Sequence, residues 1–219
     1  IHVAKGTYIC HPDLLDSHWG MTAAGAWVFL AAKKEDKPLA ESVLAKSKKH
    51  FDFLCDSSPE ELRKNGVGFY NPTVNTALSL RLENAVALYR ATGKTYYREL
   101  AFTLAKLLLA RQERTLYETP DGILTGFFRD SEKAESATLI QNDAVLSSFT
   151  RLIRDFPEDE LFFPLHAALR IHADFYLMNP SATAQPYRVP YPVLSTRKSE
   201  KGFEAEVGTS MKDGKKLYG

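Results

Sequence analysis

The stretch from Leu82 to Ala101 constrains this chain most. It reads Leu-Glu-Asn-Ala-Val-Ala-Leu-Tyr-Arg-Ala-Thr-Gly-Lys-Thr-Tyr-Tyr-Arg-Glu-Leu-Ala. Leu78, Leu82, Ala85, Val86 and Tyr89 recur at the three- and four-residue spacing of one helix face. Gly93 stands where a helix closes in the left-handed conformation that glycine adopts without strain. A second stripe of Leu100, Ala101, Leu104, Leu107 and Leu108 follows, in a helix expected from about Thr95 to Arg114. Two amphipathic helices joined by so short a turn run antiparallel, and each must bury its stripe against a neighbour. The pattern predicts an αα-hairpin.

The pattern occurs twice more. A helix over Ser17–Lys33 carries Gly20, Ala24, Trp27, Val28 and Ala31 on one face and ends at Glu35-Asp36-Lys37-Pro38. Pro38 suits an early position of the next helix, where its missing N–H costs nothing. That helix turns Ala40, Val43, Leu44, Phe51 and Leu54 inward and Lys46, Lys48 and Lys49 outward. The third pair runs from Ser136 to Asp155, with Val145, Phe149, Leu152 and Ile153 inward, and then to about Met178, with Leu165, His166, Leu169, Ala173, Tyr176 and Leu177 on one stripe. Pro164 either begins that last helix or follows a first turn with a kink.

Two long connections separate the pairs. Asp56 to Thr73 is rich in turn formers and includes Phe69 and Tyr70. In Tyr117–Glu135, Pro120-Asp121-Gly122 marks a turn, and Ile123, Leu124, Phe127 and Phe128 either form a short strand or pack onto the helices. Helical patterning stops after Asn179-Pro180. The expected fold is all-α: a toroid of hairpins over 17–178, about half of an (α/α)6 barrel, within a single or partial domain of 1–219. An irregular, extended polar tail occupies 179–219. Half a barrel leaves an open flank, to be closed by self-association or by further chain segments. The start at Ile1 without Met and the polar ending are expected of a segment of a longer product.

Composition excludes several classes. A formal net charge of +1 with no dense basic block argues against a nucleic-acid partner. No apolar run approaches the ~18 residues a membrane span needs. Two cysteines, Cys10 and Cys55, make no disulfide framework and no CxxC zinc motif. The sequence has no GxGxxG, Walker loop, GxSxG elbow or HExxH, so neither a cofactor nor a metal is expected.

A family resemblance enters with the order of short motifs. Leu88-Tyr89-Arg90-Ala91-Thr92-Gly93 is followed by Gly126-Phe127-Phe128, Gln141-Asn142-Asp143 and Phe156-Pro157-Glu158-Asp159. Then come His172-Ala173-Asp174-Phe175-Tyr176-Leu177 and Gln185-Pro186-Tyr187-Arg188-Val189-Pro190-Tyr191. This succession resembles the middle of the cellulase-like family 9 glycoside hydrolases that carry an N-terminal immunoglobulin-like domain, over most of Met21 to Leu194. The resemblance implies a six-hairpin α/α barrel, inverting hydrolysis of a β-linked glucan or related oligosaccharide, and an extracellular or periplasmic location. The family's Trp-His-Asp-Ala-Gly-Asp motif and its C-terminal catalytic Glu have no counterpart in these 219 residues. The resemblance therefore places the catalytic carboxylates outside this chain and leaves its own catalytic residues unassigned.

Glycoside hydrolysis needs two carboxyl groups facing each other across the sugar. Asp13 and Asp16 copy the spacing of the family's aspartate pair, but Asp16 or Ser17 is also a natural helix N-cap. His18 and Trp19, with His11 nearby, offer an aromatic platform beside polar groups; the competing reading packs Trp19 over a hairpin end. A metal site of His11, Asp16 and His18 matches no ligand motif. Asn142 and Asp143, early in their helix, either bind sugar hydroxyls or serve the helix dipole. Phe128, with Phe127 and Arg129, reads as a platform or as core. Glu83 and Asn84 read as cleft residues or as a surface pair. His166 and His172 lie six apart, on different faces, and read as structural. The substrate-binding set is His18, Trp19, Phe128, Asn142 and Asp143, for an oligo- or polysaccharide. Competing functions are another α/α-barrel enzyme, a polysaccharide lyase or unsaturated-uronide hydrolase, and a non-catalytic helical-repeat scaffold.

Overall fold

The structure, a computed structural model, describes residues 2–4, 7–9, 15–65, 73–119, 122–134, 136–177, 193–199, 202–207, 209–212 and 215–218. The chain divides into two compact units, Ile1–Thr73 with Ala77–Ala105, and Val74–Thr76 with Lys106–Gly219.

The first unit opens with a small antiparallel pair, β1 (His2–Ala4) and β2 (Thr7–Ile9). Helices follow: α1 (Leu15–Ala32), α2 (Lys37–Asp56), a short α3 (Pro59–Lys64) and most of α4 (Asn75–Thr92) and α5 (Thr95–Leu109). Asp36 caps α2 by accepting the Leu39 N–H at 3.0 Å, and Pro38 sits in the first turn. Ala40, Ser47, Phe51 and Leu54 form the buried stripe of α2. Gly93, at φ +68°, closes α4 with a 2.7 Å bond from its N–H to the Tyr89 carbonyl.

Helices α1 and α2 pack at Gly25, where an added Cβ would stand 2.8 Å from the Cβ of Ser47. Ser47 donates to the Thr22 carbonyl, and Thr22 Oγ1 lies 3.0 Å from His50 Nδ1. Trp19, Phe51 and Tyr97 form a chain of edge-to-face rings, each pair at 5.7 Å, joining α1, α2 and α5. Buried aromatic groups like these supply on the order of 1.5–3 kcal/mol each.

This packing corrects the expected inward face of α1. Trp19, Thr22, Gly25 and Ala26 are buried, whereas Gly20, Met21, Ala24, Trp27, Val28 and Ala31 are exposed. Arg90 lies over the Trp27 ring at 5.5 Å. Leu107, expected inside α5, is also exposed. The connection from Asp56 folds partly into α3, whose Leu62 is fully buried; Phe69 and Tyr70 lie outside the described residues.

The second unit holds α6 (Leu139–Asp155) and α7 (Phe162–Ile171), which runs into a π-helical turn at His172–Leu177. Pro164 falls in the first turn of α7, where a missing N–H is tolerated. Helix α5 stops at Leu109, shorter than expected, because Arg111 and Gln112 leave the helix to pair with the loop at 126–129. That loop follows a hairpin of β3 (Tyr117–Thr119) and β4 (Gly122–Leu124). The tail read as irregular carries strand pairing: β6 (Val193–Ser199) lies between β5 (Ser136–Thr138) and β7 (Gly202–Val207), and β8 (Thr209–Lys212) pairs with β9 (Lys215–Tyr218), all antiparallel. The proline-rich part of the tail, 180–192, lies outside the described residues.

Candidate functional site

Polar side chains of the second unit collect where α4 and α6 begin, α5 ends, and the 125–138 loop passes between them. Asn75 ties the start of α4 to that loop: its N–H donates to the Asp130 carbonyl at 3.0 Å and its Nδ2 to the Arg129 carbonyl at 2.9 Å. The Thr76 N–H donates to Gln141 Oε1 at 2.7 Å. Asp130 accepts from Ser136 Oγ (2.8 Å), Thr138 N–H (2.6 Å) and Thr138 Oγ1 (3.1 Å), which fixes the entry into α6.

Asn142 is fully committed. Its Oδ1 accepts the Phe128 N–H at 2.7 Å, and its Nδ2 donates to the carbonyls of Phe128 (3.1 Å) and Thr138 (2.9 Å). Phe128 is fully buried, edge-to-face with Phe149 and stacked on His172, both at 5.7 Å. Phe127 is equally buried against Tyr176. The loop therefore turns both rings into the core, and Phe128 offers no stacking face for a sugar.

His172 sits beneath this layer, stacked by Phe128 and Tyr176 and nearly inaccessible. Its Nδ1 lies 3.0 Å from the Gly126 carbonyl, which also accepts Gln112 Nε2 at 3.1 Å. Burial lowers the His172 pKa to about 4, so the ring is neutral and Nδ1–H donates. His166, placed inward from sequence, is exposed and stacks on Phe162 at 6.2 Å.

Asp143 stands apart. It is exposed and, among the described residues, makes no hydrogen bond or ion pair. Partial desolvation raises its carboxyl above the usual range. Among the described side chains of the substrate-binding set expected from sequence, those of Trp19, Phe128 and Asn142 are buried and that of Asp143 is exposed.

Elsewhere the structure narrows the candidates. Trp19 is fully buried in the first unit, so the platform reading does not hold for this ring; its Nε1 has no partner. The side chain of His18 lies outside the described residues, as do His11 and Asp13. Asn84 is buried, donating to the Leu80 carbonyl at 2.9 Å, and forms no surface pair. Among the described residues no three His, Cys, Asp or Glu side chains are grouped to hold a metal ion. An open groove of about 670 Å³ runs along Leu109, Ala110 and Gln112 to Thr115 and includes none of the residues expected from sequence.

Sequence reasoning missed Arg111, buried with Nη1 2.7 Å from Asn75 Oδ1, and Gln112, which clamps the Gly126 and Ala168 carbonyls. Both fall within the helix expected from about Thr95 to Arg114, which ends instead at Leu109. The signal available was local: Gln112-Glu113-Arg114 interrupts an apolar stripe that ends at Leu108.

The fold resembles that of the GH76A alpha-1,6-mannanase from Salegentibacter sp. HEL1_6, with a TM-score of 0.52 and 12% identity over 93% of this chain and 51% of that one. A second match is an inactive variant of the same mannanase, with two consecutive aspartates replaced by alanine, in complex with alpha-1,6-mannotetrose. Its TM-score is 0.51 at 13% identity, over 89% of this chain and 48% of that one. The chain spans about half the length of these structures. No protein family and no curated protein matches it. At such identity the likeness shows fold alone: this chain is mainly helical and shares the helical-hairpin fold of those structures, with short strand pairs added. Neither match is to a family 9 enzyme.

Proposed function

We propose that this chain is the oligosaccharide-binding helical portion of a glycoside hydrolase-like protein, with Asp143 as a ligand-contacting group. The observation that carries the reading is the unengaged, partly desolvated Asp143 carboxylate at the start of α6, in a fold shared along nearly the whole chain with a glycan-degrading enzyme. An exposed carboxylate with no protein partner keeps its oxygens available for charge-assisted hydrogen bonds from sugar hydroxyls.

The finer reading drawn from the motif succession is an inverting, family 9-like enzyme on a β-linked glucan. A second reading is favoured by one observation: the structurally similar mannanase was captured with alpha-1,6-mannotetrose. That enzyme's inactive variant lacks two consecutive aspartates, and no two aspartates are adjacent in this sequence. Under either reading these residues supply sugar binding, and the isolated chain is expected to cleave nothing.

The test is calorimetric titration of the chain and of Asp143→Asn with β-1,4-linked gluco-oligosaccharides, alpha-1,6-mannotetrose and maltotetraose. Binding of one linkage class, weakened in the variant, supports the proposal and selects the substrate. Failure of every glycan, neutral or acidic, to bind at millimolar concentration overturns it in favour of a non-catalytic scaffold.

A further inference from the structure

Two arginines in the second unit occupy opposed positions beside an isolated bridge. Gln112 and Phe128 form an isolated antiparallel bridge, and next to it the Arg129 N–H donates to the Arg111 carbonyl at 3.1 Å. Positions 111 and 129 are therefore directly opposed, and opposed side chains leave an antiparallel pair on the same side. Like charges at such a position destabilise it. The two charges do sense each other: Arg129, after burial itself, contributes to lowering the Arg111 pKa.

Arg111 is only 8% exposed, and its guanidinium has one partner, the neutral Asn75 side chain at 2.7 Å. The Nε of Arg129 is buried without any hydrogen-bond partner. Among the described residues neither arginine forms an ion pair. Glu132 acts on Arg111, and Arg129 on Glu113, only through their fields. The adjacent Asp130 spends its carboxylate on Ser136 and Thr138. The Glu132 field offsets more than Arg129 adds, but among the described residues no carboxylate touches either guanidinium, so the pair retains donors for an anion from outside.

The geometry points to an oxyanion-binding subsite at Arg111 and Arg129 that takes the carboxylate of an acidic sugar residue. The guanidinium fork matches a planar carboxylate, and Asn75 holds the Arg111 fork in place. The sugar assignment rests on the glycan-binding reading above; the oxyanion chemistry rests on the arginines alone and is shared by phosphate.

The experiment compares the native chain with Arg129→Gln at low salt, by calorimetry and thermal unfolding, using oligogalacturonate, neutral tetrasaccharides and inorganic phosphate. Oligogalacturonate is expected to bind the native chain and raise its Tm, and to bind Arg129→Gln about tenfold more weakly. The unliganded variant is expected to melt no lower than the native chain, because a like-charge opposition has been removed. Neutral glycans that bind, with no advantage for the acidic one, overturn the subsite and leave the proposed function standing. Arginine-dependent phosphate binding with no glycan bound overturns the acidic-sugar assignment together with that function. A lower Tm for unliganded Arg129→Gln overturns the proposal by showing that Arg129 serves the fold.

Discussion

Nδ1 of His172 lies 3.0 Å from the carbonyl oxygen of Gly126, joining the π-helical turn to the loop that carries both buried phenylalanines. The bond needs a neutral ring with the proton on Nδ1, and burial supplies that condition by lowering the pKa to about 4.

Stability should therefore fall in acid over a definite window. Below its ordinary pKa of 6.5 the unfolded chain protonates His172, whereas the folded chain resists until about 4. The contribution of His172 is complete above pH 6.5 and is lost as pH falls from there towards 4. A shift of this size corresponds to about 3 kcal/mol. Urea unfolding at pH 7 and pH 4.5 should show the loss, and His172→Gln should flatten that part of the profile. An unchanged slope in the variant would assign the acid sensitivity to other groups.

Gly126→Ala should cost about 3 kcal/mol or more. Its φ of +81° disfavours any side chain, and an added Cβ would stand 2.8 Å from the Ile171 carbonyl oxygen. Gly93→Ala is the control. Gly93 also has a positive φ, +68°, but open space around it, so the cost should be about 1 kcal/mol. Chemical denaturation of both variants tests the ordering.

Asn142→Leu should destabilise by about 2–4 kcal/mol, because it strands the buried Phe128 N–H and carbonyl. Asp143→Asn, one residue on, should leave stability within about 0.5 kcal/mol, since that carboxylate has no partner to lose. Thermal melts of the two variants separate the structural residue from the ligand-facing one.

Cys55 should react slowly. Burial is the main reason its thiol is pushed up to about 11, with the Arg81 charge only partly opposing it. In a Cys10→Ser background at pH 8, thiol–disulfide labelling should run about a hundredfold slower in the native chain than in urea. Comparable rates would contradict the burial of this thiol.

The helices were legible where one face was clearly apolar and the other charged. The stripe of Ala40, Phe51 and Leu54, set against exposed Lys46 and Lys49, fixed the orientation of α2 in advance. Helix α1 is apolar all round, so periodicity there selects no face. Its face is chosen by Gly25 meeting Ser47, a pairing across more than twenty residues that no local pattern encodes. The site divides along the same line. Asn142 and Asp143 were visible as polar residues early in a helix. What separates them is the Phe128 backbone, which the fold delivers to one and withholds from the other. Arg111 stayed hidden, and Arg129 was visible only as a neighbour of Phe128, because their significance lies in being opposed beside a bridge that no local periodicity encodes.

The Gly126 carbonyl is a single acceptor serving two donors, Gln112 Nε2 and His172 Nδ1. Substitutions at Gln112 and His172 should consequently be non-additive. Removing either donor leaves the oxygen still occupied by the other, and only the double variant strands it in the interior, so the paired loss should exceed the sum of the single ones. A double-mutant cycle across these two positions would read that coupling directly, between residues on α7's continuation and at the end of α5.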